Sequence, residues 1–141
     1  MRPFISTQRI YIEDVDSQGV VYHANYLKFF ERARTEMLRS LGFNIWDHTK
    51  KTGASFVMRR CQLDFKSPAR LDNLATLKTT LSSRSGARLS FHQTLEIESK
   101  PCVDLICLLA YINADHKPLR LPQFLWDLLD SSSMNKRTSF I

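Results

Sequence analysis

The sequence predicts an α+β domain: one long helix wrapped by a curved antiparallel sheet of about five strands. Three observations predict it. Helical spacing of apolar residues is sustained in one long segment, at Tyr26, Phe30, Ala33, Met37 and Leu41. One strand-like segment precedes that helix and four follow it. The 141 residues suit a single domain better than two, large enough to bury a core without disulfide staples. An amphipathic helix and an alternating sheet each have one apolar face, and the simplest way to bury both is to lay one on the other.

Residues 4–12 (FISTQRIYI) have strand composition and lead into an acidic cluster. The helix follows from about Ala24 to Leu41, with Leu27 and Leu38 widening its stripe and Lys28, Glu31, Arg32, Glu36 and Arg39 on the other face. Arg32 and Glu36 are spaced to pair. Asn25 has the side chain of an N-cap, and Gly42 is placed to stop the helix. Residues 46–51 read as loop. Cys61, Leu63 and Phe65 then alternate with Gln62 and Asp64 until Pro68 breaks the run. Leu77, Thr79 and Leu81 alternate up to a turn around Gly86, and Leu89, Phe91, Leu95 and Ile97 alternate after it. Residues 103–112 are almost continuously apolar, which predicts a strand covered on both faces. A short helix is expected from Pro122 to Leu129. The domain is thus assigned to residues 1–130, with a polar, mobile tail at 131–141.

Composition narrows the class. The three cysteines, Cys61, Cys102 and Cys107, are odd in number and lack C-x-x-C spacing, as expected of buried reduced thiols in a cytoplasmic protein. The N-terminal MRPFISTQRI lacks the apolar core of a signal peptide, and LICLLAYI at 105–112 is too short to span a bilayer. No transmembrane segment is expected. The net charge of +6 is compatible with nucleic acid, an anionic surface or a phosphorylated small molecule, but the basic residues are scattered and form only pairs. Nucleic-acid binders concentrate them on one element, so that class is disfavoured. His48, His92 and His116 lie far apart without metal-ligand spacing, and no metal or resident cofactor is expected.

The joint between first strand and helix, EDVDSQGVVYHANY at 13–26, carries far more polar chemistry than a connection needs. Taken alone, Asp14 and Asp16 fit a polar turn or an anchor for the helix start. His23 fits a structural hydrogen-bonding residue, and Asn25 a cap. The same residues also place a carboxylate near a helix N-terminus, whose first N–H groups lack intrahelical acceptors and carry partial positive charge.

The run DVDSQGVVYHANYLKFFERARTEML resembles the signature of the hot-dog-fold thioesterases of the 4-hydroxybenzoyl-CoA thioesterase superfamily, and within it the YbgC-like bacterial acyl-CoA thioesterases. The segment FVMRRCQLDFKSPARLD is similar to that group's second strand, which ends in a Pro-Ala turn and an acidic residue, here Asp72. The similarity runs from about Gln8 to Pro122. It implies a hot-dog fold paired into homodimers and often homotetramers, with a pocket at the dimer interface. It further implies that Asp16 is the catalytic carboxylate, that Asp14 is not, and that the backbone N–H at His23 polarises the substrate carbonyl. Gly19, Val20, Tyr22 and Asn25 in the same motif become substrate-binding candidates. One departure stands out: Ile12 occupies a position where several relatives have a tyrosine, and neighbouring Tyr11 points to the opposite face of an extended strand.

The chemistry suits these residue types. Thioester hydrolysis needs an attacking oxygen and positive potential where the carbonyl oxygen gains charge. Asp16 can attack directly or take a proton from water. Thiolate leaves readily, so the lack of an obvious Ser–His–Asp set is no objection. The phosphates of a CoA substrate call for cations, and Arg59, Arg88, Lys117 and Arg120 are candidates. The expected function is hydrolysis of an acyl-CoA thioester. The alternative is a non-catalytic scaffold that docks acyl carrier protein or an envelope-associated complex, which the basic balance would suit. A dehydratase of the same fold would need a histidine before a Pro-rich segment that this chain lacks. Phe29, Phe30 and Phe56 suit either a pocket lining or the core, and Glu31 is expected to be solvated.

Overall fold

A computed structural model describes residues 2–138 of the chain, with side chains described as far as residue 130. Strand β1 (Phe4–Arg9) leads through a single 3₁₀ turn at Ile12–Asp14 to the long helix α1 (Asn25–Ser40) and a second helix α2 (Ile45–Thr52). Strands β2 (Ser55–Phe65), β3 (Leu74–Ser85), β4 (Arg88–Ile97) and β5 (Lys100–Ile112) follow, and α3 (Gln123–Thr138) closes the chain. The strands form one antiparallel sheet in the order β1-β3-β4-β5-β2.

The sheet bends around α1. Register shifts occur at Met58/Arg60, Leu81/Ser83 and Leu95/Glu96, and an extra residue on one strand bends it and increases its twist. The concave face buries Leu77, Leu81, Leu89, Phe91, Leu95, Val103, Leu105 and Cys107 against Tyr26, Phe29, Phe30, Ala33 and Met37 of the helix. Phe29 and Phe30 are therefore core residues. Because α1 lies mainly over β3 and β1, the β2 side of the sheet is less covered. Most of β2 from Val57 to Phe65 is exposed, and β2 is an edge strand.

Several local expectations are corrected. The first strand ends at Arg9, because residues 12–14 curl into the 3₁₀ turn. Asn25 is not the N-cap: Ala24 holds that place, and the Asn25 side chain donates from Nδ2 to the Asp14 carbonyl instead. Residues 45–52 are helical, capped by the Asn44 side chain accepting from the Asp47 N–H and ended by Gly53 in the left-handed region at φ 77°. Glu36 pairs with Arg39 at 3.5 Å, while Arg32 reaches Gln8. Cys102 and Cys107 are buried, but Cys61 is exposed on the edge strand. The β5 strand alternates in burial over its middle, where Ile106 is 56% exposed on the outer face, whereas Ala110, Tyr111 and Ile112 are all buried, so both faces are covered only at its C-terminal end. The backbone of α3 continues past Leu129 to Thr138, and the tail expected at 131–141 falls outside the described side chains. Among the described residues no helix is long and apolar enough to cross a membrane.

Candidate active site

The acidic joint folds into two nested turns that place its two aspartates in different surroundings. Asp14 is buried. Its Oδ2 accepts from the Tyr11 N–H at 2.8 Å, and its carbonyl accepts from the Tyr22 N–H at 3.0 Å and from Asn25 Nδ2 at 2.9 Å. Asp14 thus ties the 3₁₀ turn to the start of α1. Asp16 is exposed at the tip of the next turn, where Oδ1 accepts from the Gln18 N–H at 2.8 Å. The Asp16 backbone closes the turn by donating to the Val20 carbonyl and accepting from Gly19. Gly19 has φ 76°, which only glycine adopts without strain; a side chain there would meet no atom within 4 Å, so conformation rather than crowding selects glycine.

The strand-like segment 19–21 is stitched to the segment after β2. Val21 donates to Ala69, Leu71 donates to Gly19, and Val20 bridges Arg70. The Ala69 N–H is in turn received at 3.1 Å by the hydroxyl of Tyr26, the second residue of α1. Burial pushes the Tyr26 phenol above its ordinary range, partly offset by that hydrogen bond, so it stays neutral and can accept. A cavity of about 300 Å³ opens here, lined by Val21, His23, Tyr26, Phe65, Lys66, Ser67 and Pro68. The amides of His23 and Ala24 have no protein acceptor among the described residues, whereas the Asn25 amide is held by the Tyr22 carbonyl. Positive potential is thereby left at the mouth of the helix. The exposed Tyr22 ring leans on the His23 imidazole, 4.5 Å between centroids.

A second cavity of about 460 Å³ runs along α1 between the helix and the β2 side of the sheet, lined by Leu27, Glu31, Arg34, Thr35, Leu38, Ile45, Phe56, Met58 and Leu109. Its first wall residue, Leu27, is one helical turn from His23. Phe56 is therefore a lining residue, and exposed Glu31 borders the same cleft.

The cations assigned to CoA phosphates do not converge on His23. Arg88 pairs with Ala110 at the far end of β5, while Phe65 pairs with Val103; at about 3.3 Å per residue those points are roughly 23 Å apart. Lys117 sits in a tight turn in which Asn113 and Lys117 exchange backbone and side-chain hydrogen bonds, and exposed Arg120 is near the same end. Arg59 falls at the β2 register shift, exposed, and lines neither cavity. Asp16 also lies outside the walls of the His23 cavity. A single chain thus brings together Gly19, Val20, Tyr22, His23 and Asn25 around the helix start, with Asp16 on the turn beside them.

Sequence reasoning missed one buried charge. Arg34 is 7% exposed and donates from Nη1 to Gln93 Oε1 at 2.9 Å, while Gln93 Nε2 donates to the Phe30 carbonyl and to Thr79 Oγ1. The signal was available: Arg34 is four residues after Phe30 and three before Met37, inside the apolar stripe, and Gln93 stands at an inward position between Phe91 and Leu95. Among the described residues, no three His, Cys, Asp or Glu side chains converge as a metal would require.

Comparison with known proteins agrees with this architecture. The Thioesterase superfamily model matches residues 18–103. The chain is 41% identical over 104 residues to the acyl-CoA thioesterase YbgC of Haemophilus influenzae, covering 71% of this chain and 76% of that protein. It is 42% identical over 87 residues to the acyl-CoA thioester hydrolase YbgC of Escherichia coli, covering 62% and 64%. Among solved structures, a probable thioesterase from Bartonella henselae superposes with a TM-score of 0.82 at 40% identity, over 85% of this chain and 99% of that one. A mutant 4-hydroxybenzoyl CoA thioesterase complexed with 4-hydroxybenzoyl CoA superposes at 0.85 over 92% of this chain and 99% of that one; at 16% identity it shows the shared hot-dog fold alone. With more than half its length matched and the fold in common, the chain belongs to the thioesterase superfamily.

Proposed function

We propose that this protein hydrolyses acyl-CoA thioesters, with the carbonyl held at the start of α1 and Asp16 supplying the attacking oxygen. The observation that carries the reading is the pair of unclaimed amides at His23 and Ala24, at a helix N-terminus that opens on a cavity. Donors aimed where charge develops stabilise the tetrahedral intermediate, and losing one typically costs about 3–4 kcal/mol. Asp16 acts in one of two ways. Its carboxylate adds to the carbonyl and expels the CoA thiolate, leaving an anhydride that water hydrolyses. Or it takes a proton from water, hydroxide adds, and the thiolate leaves with the proton. Either route yields free acid and CoA. The His23 imidazole stands at the cavity wall and orients the bound thioester. The acyl group fits the cleft beside Leu27 and Phe56. The 41% identity to a YbgC acyl-CoA thioesterase supports the same reading.

The site is completed by a second copy. The unpaired β2 edge favours antiparallel pairing with another β2. That pairing would carry the partner's Ser55 end, and with it the distant basic end of the sheet, toward the Phe65 end of this chain. Arg88, Lys117 and Arg120 then meet CoA phosphates from across a homodimer or homotetramer rather than within one chain. A cytoplasmic location fits a CoA substrate. Acyl carrier protein is a second thioester donor, and a scaffold role without turnover is the competing reading.

The deciding experiment follows thioester absorbance across short, long and aromatic acyl-CoAs for wild type and Asp16→Asn. Loss of at least about two orders of magnitude in the folded variant is expected, in line with removal of an essential acid–base group. Full activity in Asp16→Asn would sink the mechanism. Absence of wild-type activity on every CoA ester, with turnover or binding of acyl carrier protein, would favour the carrier-protein reading.

A further inference from the structure

We infer that the cleft beside α1 selects acyl groups ending in a carboxylate, and that Arg34 is the residue that reads this end. The inference rests on the thioesterase reading above and names its substrate class. Arg34 is more than nine-tenths buried and lines the cleft, yet among the described residues it has no carboxylate within ion-pair distance. A buried guanidinium facing only a neutral partner leaves desolvation largely uncompensated. Its neighbour cannot compensate further. Gln93 spends both amide protons on Phe30 and Thr79, which fixes its Oε1 toward Arg34 Nη1 and leaves no second acceptor.

The guanidinium has five N–H donors, of which Gln93 takes one. Among the described residues no enclosed side-chain nitrogen or oxygen lacks a partner. Arg34 Nε and Nη2, which Gln93 does not bond, therefore have accessible surface, and Arg34 borders the cleft. The otherwise apolar wall formed by Leu27, Leu38, Ile45, Phe56, Met58 and Leu109 thus has a cationic fork set into it, the donor geometry that receives a carboxylate bidentately. Glu31 borders the same cleft from an exposed position, where water screens it. It weakens the preference without reversing it.

The reach sets the chain length. From Asn25 to Arg34 is nine residues, roughly 14 Å along the axis at about 1.5 Å per residue. Helical side chains lean back toward the N-terminus, which brings the guanidinium to roughly 8–12 Å from the carbonyl position. An extended chain advances about 1.25 Å per methylene, from a C–C bond near 1.5 Å, so acyl groups of about six to ten carbons fit.

The test compares adipoyl-, suberoyl- and sebacoyl-CoA with hexanoyl-, octanoyl- and decanoyl-CoA on the full-length protein. Wild type is expected to show a kcat/KM ratio favouring the ω-carboxylated member of at least one pair by about ten-fold or more. Arg34→Met is expected to bring that ratio to one or below, and Arg34→Lys to an intermediate value. Glu31→Gln, which removes the opposing charge, is expected to raise it. Wild type that rejects the ω-carboxylate at every length overturns the proposal. So does Arg34→Met lowering both members of each pair equally while unfolding cooperatively, since that is the signature of a merely structural arginine. Should Arg34→Met not fold, an unchanged ratio in Glu31→Gln and Arg34→Lys overturns it. If wild type turns over no thioester at all, the thioesterase reading fails instead. Calorimetric titration with octanoate against octanamide, on wild type and Arg34→Met, then tests the cleft itself, and equal or absent binding of the two by wild type refutes it.

Discussion

Removing one oxygen atom tests how the site is held together. In Tyr26→Phe the ring keeps its place against Phe29 at 6.3 Å and Phe65 at 5.9 Å, so packing is preserved and only the hydroxyl is lost. That hydroxyl receives the N–H of Ala69, which is 0% exposed, and water cannot readily replace it. A buried donor stripped of its acceptor costs about 1–3 kcal/mol. For a domain of this size each kcal/mol lowers Tm by about 3–4 °C, so a drop of roughly 3–12 °C is expected. The Ala69 carbonyl also receives the Val21 N–H, and Val21 stands two residues before His23. Loosening at Ala69 should therefore lower kcat several-fold as well. Urea unfolding with the slope compared across variants, plus steady-state kinetics, measures both. Tyr22→Phe is the control: Tyr22 is 48% exposed, and its loss should stay within about 0.5 kcal/mol. A Tyr26→Phe protein as stable as wild type would refute the argument, because the Ala69 amide would then have another partner.

Three further outcomes follow from the same geometry. Asn25→Ala removes one of two donors to the Asp14 carbonyl and should cost about 0.5–1.5 kcal/mol by chemical denaturation, with a fall in kcat rather than a rise in KM. Gly19→Ala meets no atom but must adopt φ 76°, so it should lose about 1–2 kcal/mol of stability, measured by thermal unfolding, and an unchanged Tm would count against the turn. Burial lowers the His48 pKa from 6.5, so the folded state prefers the neutral ring. Its stabilisation is present above pH 6.5 and is lost as pH falls through the lower folded value. His48→Phe should flatten that part of the stability–pH curve, since Tyr111, its partner at 2.5 Å, can still be bonded by Thr52.

The architecture was legible because its main elements announce themselves by period. Residues 26–41 repeat at helical spacing, and residues 61–65, 77–81 and 89–97 alternate. What escaped was set by a few contacts. The α2 helix is only eight residues long, too short for period to stand out, although Asn44 and Gly53 bracket it as cap and stop. Asn25 looked like a cap because capping and hydrogen bonding to a distant carbonyl use the same amide group, and only the fold brings the Asp14 carbonyl within reach. The functional joint was legible as a motif, and the motif carried the family. The contrast in burial inside it, with Asp14 buried and Asp16 exposed, depends on the 3₁₀ turn that no periodicity predicts. The basic candidates failed to converge because a linear sequence does not say which end of a long strand a residue occupies. Arg34 is legible as a charge inside an apolar stripe, but period alone does not distinguish a buried arginine from one that snorkels to the helix edge.

One choice of packing underlies both the cleft and the edge. If α1 lay centrally across the sheet, its stripe would cover β2 and β5 as fully as β1 and β3, and no cavity would run beside it. Laid toward β1 and β3, the helix leaves Phe56 and Met58 facing a gap, with β2 carrying an unpaired edge and much exposed surface. Either feature alone is a liability: an open apolar cleft loses packing, and a bare edge invites aggregation. Together they place a substrate-sized gap next to the strand where a second copy would pair. The polar trio of Arg34, Gln93 and Thr79 lies on the same helix–sheet boundary, and Gln93 ties it to the helix backbone at the Phe30 carbonyl. The directional 2.9 Å hydrogen bonds from Gln93 to the helix backbone and to Thr79 favour one helix position where apolar contacts alone would tolerate several.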